Sequence, residues 1–441
     1  MQTRDDPESL NDRETQPDPC RWACPPPLRV VVHDVGGESR SPRRRRPSSR
    51  CHSTANLSLG SAGTHTILRD SRSPPYGANE VLDIIITGAG LSALLLAQSL
   101  LAVRDDIQLQ LVGPSSTGRS HVLSYWSSEQ TPFDLDVIAS WSTVSIVDRH
   151  GHELRAPLKR NRYHTLRVEA WIDRMTQALG PRVEQITGTV EAIAPDDRSV
   201  RLRVGEHELK ADWVFASHRV SSPPDCWQRF LGWEVTVPEP VCDLDVARIM
   251  DFRTAAEGDF RFVYLLPLTE TRILVEHVSY EPCDHAAHLE AYLRDVLALS
   301  TWEVVRQESG ATPIFRDPPP RTQNRVIPIG VGGGLAKPAT GYAITRMWRD
   351  AEQIAASLRD HDEPIAAPAR GMLYRLSDHY FVDLLGTDPS QICDLLTALF
   401  RHVPGDALLD FLDEQASLGD RLAVARWVPG WLKWLQSRSA S

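Results

Sequence analysis

Apolar and polar positions alternate with two different periods along the chain. Residues 81–87 form a continuous apolar run of buried-strand character. An apolar helix is predicted over 91–103 and a second strand over 107–112, so the three make a strand–helix–strand unit. A strand over 163–168 introduces a helix over 171–179. Residues 182–194, 200–204 and 208–215 read as strands of a meander, and 249–253, 260–267 and 272–279 as three more, rich in β-branched and aromatic residues. Helices are expected over 284–299 and 344–358, and 373–435 carries only helical patterns. Residues 1–80 lack apolar periodicity and are rich in Pro, Arg, Ser and Asp, so they are expected to be a disordered tail, with one stray strand possible over 28–33. The pattern predicts an α/β protein in three parts: the tail, a body over 81–360 with an inserted, mostly antiparallel sheet, and a helical region over 361–441.

Composition narrows the function. The chain has 441 residues, enough to bury a full core, and a net charge of −10, which gives no reason to expect nucleic acid as a partner. Its seven cysteines are dispersed and odd in number, the usage of reduced thiols in a cytoplasm. No apolar run is long enough to span a bilayer. The arginines at 43–46 are not followed by an apolar core, so an export signal is not expected.

Two glycine-rich loops carry the first chemical signal. Gly88, Ala89, Gly90, Leu91, Ser92 and Ala93 read G-x-G-x-x-A between a strand and a helix. In that context Gly88 permits a tight turn, Gly90 lets a pyrophosphate approach, and Ala93 lets the helix pack close to the strand. A second loop follows a short strand at 326–330: Gly332, Gly333 and Gly334, then Lys337, Pro338, Thr340, Gly341 and Tyr342, then a helix. Together they predict a Rossmann-like domain holding one dinucleotide at both ends. The usual ribose-gripping acid is missing: the second strand runs into Gly113-Pro114-Ser115, with Ser115 the weak substitute. No metal-ligand set has the right spacing. Asp378, His379 and His361 read as solvated loop residues.

The chain resembles the bacterial flavin-dependent lycopene β-cyclases over 83–435. The blocks that carry the likeness are D-I-I-I-T-G-A-G at 83–90, H-V-L-S-Y-W at 121–126, I-M-D-F-R at 249–253, F-R-F-V-Y-L-L-P-L at 260–268, T-R-I-L-V-E at 271–276, E-S-G-A-T-P-I at 308–314, and Gly332-Gly333 with K-P-A-T-G-Y at 337–342. The resemblance implies an FAD-binding domain, reduced FAD as cofactor with NAD(P)H as reductant, and a carotenoid substrate. It implies closure of the linear ψ-ends of lycopene into β-ionone rings: a proton adds, the cation closes the ring, and a proton leaves, with no net redox change. The expected setting is cytoplasmic and peripheral to the membrane, where such a substrate must be collected. One departure is the stretch at 215–219, F-A-S-H-R, where the family carries D-x-x-G. Ser217 and Arg219 are the available substitutes there.

Glu276 matches the essential acid of that family. On its residues alone it is a buried acid kept neutral by apolar neighbours, an exposed strand carboxylate, or a partner of Arg272 or Arg261. His277, one residue on, faces the opposite side of the strand. Tyr125, Trp126, Tyr264 and Tyr342 could stabilise a cation by their ring faces or serve as core packing. Asp251 could hold a loop or a neighbouring arginine. The tryptophans at 427, 431 and 434 suit either a bilayer interface or packing against the helices.

Overall fold

The computed structural model describes residues 29–30 and 81–428, apart from 115–120, 218–222, 256–257, 322–323 and 369. Its first layer is a parallel sheet of five strands in the order Val326–Pro328, Trp213–Ala216, Leu82–Thr87, Ile107–Gly113, Val183–Thr187. Leu82–Thr87 is central and almost wholly apolar because both of its faces are covered. On one face, helices Leu91–Val103, Val168–Leu179 and Ile344–His361 bury Leu94, Trp171 and Ile354 against Ile84 and Ile86. On the other, Ile85 and Val214 pack on the small sheet of Val190–Pro195, Val200–Val204 and His207–Ala211. Arg29–Val30 pairs in parallel with that sheet's edge. The rest of the expected tail lies outside the described residues.

The second layer is a seven-stranded mixed sheet in the order Glu303–Ile314, Cys226–Thr236, Arg272–Ser279, Arg261–Thr269, Val246–Asp251, Thr143–Val147, Glu153–Pro157. The C-terminal helices Met372–Thr387, Ser390–His402 and Gly405–Leu412 pack on one face, joining Phe381, Leu396 and Leu408 to Phe262 and Val278. His285–Ala291 and a π-helical turn at Tyr292–Val296 cover part of the other, burying Leu289 and Leu293 on Val263 and Val275. With cover on both sides, Arg272–Ser279 reads as a nearly unbroken buried run in which Glu276 and His277 are the only polar interruptions before Ser279.

Several expected elements are subdivided. The strand expected over 182–194 breaks at Gly188, where a Cβ would lie 2.4 Å from Val204 Cγ1; its first half joins the parallel sheet and its second the small one. The strand expected over 208–215 is likewise shared between two sheets, bending at Asp212. The helix expected over 284–299 ends in the π-helical turn. Two long strands escaped the pattern. Cys226–Thr236 lacks a clean alternation, and Glu303–Ile314 contains Gly310 and Pro313, which an edge strand tolerates.

Candidate active site

The two glycine loops meet. Gly88 has φ +101°, and a Cβ there would lie 2.2 Å from Ser217 Oγ, so only glycine fits the turn. The helix that follows has no acidic residue in its first turn and no side chain capping it, and nothing lies within 4 Å of a Cβ built on Gly90. Its N–H groups therefore face open space suited to an anion. Gly330, at φ +67°, would place a Cβ 2.7 Å from Ser92 Oγ, so the second loop stands against the first turn of that helix. Gly332, Gly333 and Gly334 continue this loop, with Gly332 and Gly333 buried. The missing ribose acid has a steric counterpart: a side chain at Gly113 would press on Gly88 and Ala89, with Cβ 3.1 Å from the Ala89 nitrogen. Ser115 and Arg219 lie outside the described residues.

Beyond the second loop, the chain turns back on itself. Lys337 N–H donates to Tyr342 O at 2.9 Å, and Gly341 N–H to Lys337 O at 2.7 Å. The turn rests on the larger sheet, where Gln228 Nε2 donates to Tyr280 Oη at 2.9 Å and to Thr340 O at 3.4 Å. It thus joins the glycine loops to the sheet that carries Glu276.

On that sheet, one row of directly opposed residues runs Glu308, Gly232, Glu276, Tyr264 across four neighbouring strands. Opposed residues share a face. A Cβ on Gly232 would lie 2.9 Å from Glu308 Cγ, 3.1 Å from its Oε1 and 3.2 Å from Glu276 Oε2. The glycine is the gap through which the two carboxyls approach each other. Glu308 is 5% exposed; its Oε2 accepts the Val122 N–H at 2.5 Å and its Oε1 is buried without a hydrogen-bond partner. Burial, and then the Glu308 carboxyl, hold Glu276 well above the usual carboxylate range. Burial raises Glu308 to about 7, against the opposing pull of the Val122 N–H. The arginines that could have neutralised Glu276 are engaged elsewhere. Arg272 pairs with the buried Glu234, which Arg167 also holds at 2.8 Å, and Arg261 pairs with Asp259. Gly232→Ala is expected to cut turnover on the order of a hundredfold by displacing one carboxyl, the usual scale for an ångström-sized misplacement, with the circular dichroism unchanged. Kinetics and far-ultraviolet spectra of the variant check this.

Aromatic rings line the same side. Tyr163 and Tyr342 share a hydrogen bond at 2.5 Å between their hydroxyls, with Tyr264 close enough to both to feel any charge on either. Trp126 meets Tyr342 edge-on at 4.7 Å, its Nε1 donating to Leu409 O at 2.9 Å, and Phe262 meets Tyr264 at 5.3 Å. Burial keeps Tyr163, Tyr264 and Tyr342 firmly neutral, and Glu276 is near enough to add to the effect on Tyr163 and Tyr264. Tyr125 does not belong to this group. Strand alternation turns it to the opposite side from Trp126, where it stacks on His164 at 5.0 Å and packs against Phe133 in the parallel-sheet core. Tyr163, Gly232 and Glu308 were not singled out from sequence. Only Glu308 had a signal, at the head of the 308–314 block; the register that aligns the three is long-range.

Other expectations are settled by position. Asp378 is not a solvated loop residue: it is fully buried on a helix and accepts from Lys337 Nζ at 3.0 Å and from Arg370. Asp251 is buried under Arg253, Arg248 and the Tyr292 hydroxyl, which donates at 2.8 Å. Trp427 stacks on His402 at 3.8 Å; Trp431 and Trp434 lie outside the described residues.

The architecture recurs in solved structures of other proteins. It matches a geranylgeranyl bacteriochlorophyll reductase-like protein from Thermoplasma acidophilum with a TM-score of 0.60 at 11% identity, covering 81% of this chain and 99% of that one. It matches p-nitrophenol 4-monooxygenase from Pseudomonas putida with a TM-score of 0.53 at 14% identity, covering 77% and 99%. The chain belongs to the lycopene cyclase family, whose sequence model, "Lycopene cyclase protein", matches residues 83–433. It is 28% identical to lycopene beta-cyclase of Pseudescherichia vulneris over 310 residues, 64% of this chain and 76% of that protein. It is 25% identical to lycopene beta-cyclase of a Paracoccus species over 378 residues, 79% of this chain and 94% of that one.

Proposed function

We propose that the protein closes the linear ends of lycopene, or of a related acyclic carotenoid, into β-ionone rings, with Glu276 as the acid that starts the reaction. The observation that carries this is the environment of Glu276: a carboxyl with no cationic partner among the described residues, facing a second carboxyl across Gly232 and a neutral tyrosine on its other side. Such a group keeps its proton at neutral pH and can give it to an electron-rich double bond. The proton goes to the terminal double bond of the polyene, the cation left behind attacks within the chain to form the ring, and a proton is lost to restore neutrality. Trp126, Tyr163, Tyr264 and Tyr342 present ring faces that suit a transient carbocation and exclude water that would trap it.

The open helix N-terminus at Gly90 and the loop at Gly330 fit the pyrophosphate of FAD, with Gly88, Ala89, Gly90, Leu91, Ser92, Ala93, Gly332, Gly333, Gly334, Thr340, Gly341 and Tyr342 as its cradle. When bound and reduced by NAD(P)H, FAD supplies negative charge that favours a nearby cation. No helix of the described residues is long and apolar enough to cross a membrane. Leu418 and Leu422, four residues apart on one helix and 73% and 70% exposed, support a peripheral contact with the cytoplasmic face of the membrane, from which so apolar a substrate is collected.

Expression in lycopene-making bacteria tests the reading. New β-rings support it, oxygenated or hydrogenated pigment supports flavin redox chemistry on the same fold, and unchanged lycopene beside folded, abundant protein supports a carotenoid-binding role without catalysis. The carboxyl pair also sets a pH dependence. Ring formation requires the proton on Glu276, so the rate should fall on the alkaline side as that proton is lost. Removing the Glu308 charge makes Glu276 easier to ionise, so Glu308→Gln is expected to move this alkaline limb to lower pH. A pH–rate profile measures it, and a limb that stays put or moves upward contradicts the coupling.

A further inference from the structure

The face of the Arg272–Ser279 strand opposite Glu276 holds a second group of reactive side chains that the cyclisation does not use. His277 is fully buried there, beneath the helix His285–Ala291. Its Nδ1 lies 2.9 Å from His285 Nδ1, while its Nε2 has no hydrogen-bond partner. A buried imidazole nitrogen left without a partner is costly and calls for an occupant. Ligand atoms of His277, Cys283 and His288 all lie within 4.8 Å of one another, and the His288 ring stacks on His277 at 4.7 Å. Cys283 and His288 are only partly buried, which gives an ion a way in from solvent.

We propose that His277, Cys283 and His288 bind one borderline-soft divalent ion of the zinc class, with His285 fixing the His277 ring from behind. Two imidazoles and a thiolate, with no carboxylate among them, select such an ion over magnesium or calcium. Binding converts the Cys283 thiol to thiolate and releases its proton to solvent. Two local features oppose it: the His277 and His288 rings are stacked 15° apart, so one must turn before both nitrogens meet one ion, and a guanidinium stands at His288. Arg261 Nη1 lies 2.6 Å from His288 Nε2, so the incoming ion displaces this guanidinium, which Asp259 retains. The site would tie a strand, a turn and a helix together across residues 277–288. It stands on different residues from the cyclase reading, and neither depends on the other.

The test uses the purified full chain, reduced, stripped with a chelator and titrated with Co²⁺. One equivalent is expected to bind with a thiolate-to-cobalt charge-transfer band, to raise the thermal midpoint, and to be displaced by Zn²⁺. Cys283→Ser should remove the band, and His288→Ala should abolish stoichiometric binding; both positions are partly exposed, so the fold should survive. His285→Ala should weaken Co²⁺ about 10–100-fold, the scale for a residue that orients a ligand, and Arg261→Met should tighten it. Failure of the folded chain to bind cobalt overturns the proposal. So does a band unchanged in Cys283→Ser, which would assign the metal to other cysteines such as Cys20 and Cys24.

Discussion

Glu276→Gln is expected to abolish β-ring formation in lycopene-making cells while the protein accumulates, folded, at its normal level. Glutamine has the same shape, and among the described residues Glu276 has no cation that the change would strand, since Arg272 belongs to Glu234 and Arg261 to Asp259. What disappears is the transferable proton. General acids contribute roughly 10²–10⁴ in rate, and a reaction that begins with protonation of a hydrocarbon should lie at the upper end or beyond. Glu234→Gln is the informative control: it is a 1% exposed carboxylate on the neighbouring strand, held by two arginines, so its loss should lower stability rather than remove the chemistry. Pigment analysis beside a protein immunoblot reads both. Undiminished rings from Glu276→Gln would remove Glu276 from the role of acid.

The largest effect on stability is expected at Lys337. Its ammonium group is 1% exposed and donates to Asp378 at 3.0 and 3.2 Å and to Glu414 at 3.4 Å. It ties the loop that ends in Tyr342 to the C-terminal helices that roof the site. Lys337→Met leaves Asp378 buried with half of its compensation, and breaking a buried pair from one side costs about 3–5 kcal/mol. Arg370 remains on Asp378, which places the expected loss at the lower end. The double change Lys337→Met with Asp378→Leu should recover part of it, because no charge is then stranded. Chemical unfolding of the three proteins checks the order. A Lys337→Met protein as stable as the parent would show that the buried pair does not brace the fold.

The parts of this molecule legible in sequence were those set by local rules. The run 82–103 needs only an apolar strand, two glycines and a helix, and it stands where its pattern put it. The border between the parallel and antiparallel regions was not legible: Val183–Thr187 and Trp213–Ala216, expected in the antiparallel meander, join the parallel sheet by long-range pairing. Glu276 was visible as a lone acid in an apolar run. Its partner was not: Glu308 lies 32 positions away and meets it only because both strands flank Gly232, a register that no local pattern encodes. Tyr125 and Trp126 adjoin in sequence and cannot both face one site, a consequence of strand alternation that the motif obscured. Asp378 looked solvated because its cation, Lys337, is 41 positions away. The cluster at His277 had the same difficulty, since no regular spacing joins a strand histidine to Cys283 and His288.

Turnover of lycopene by the full protein in D₂O, read by mass spectrometry, tests most directly whether an acid starts a non-redox ring closure. Each new β-ring should carry one deuterium, with the carbon skeleton otherwise unchanged in mass and no oxygen or hydrogen pair gained. Rings formed without deuterium, or a product heavier by oxygen or by two hydrogens, would contradict it.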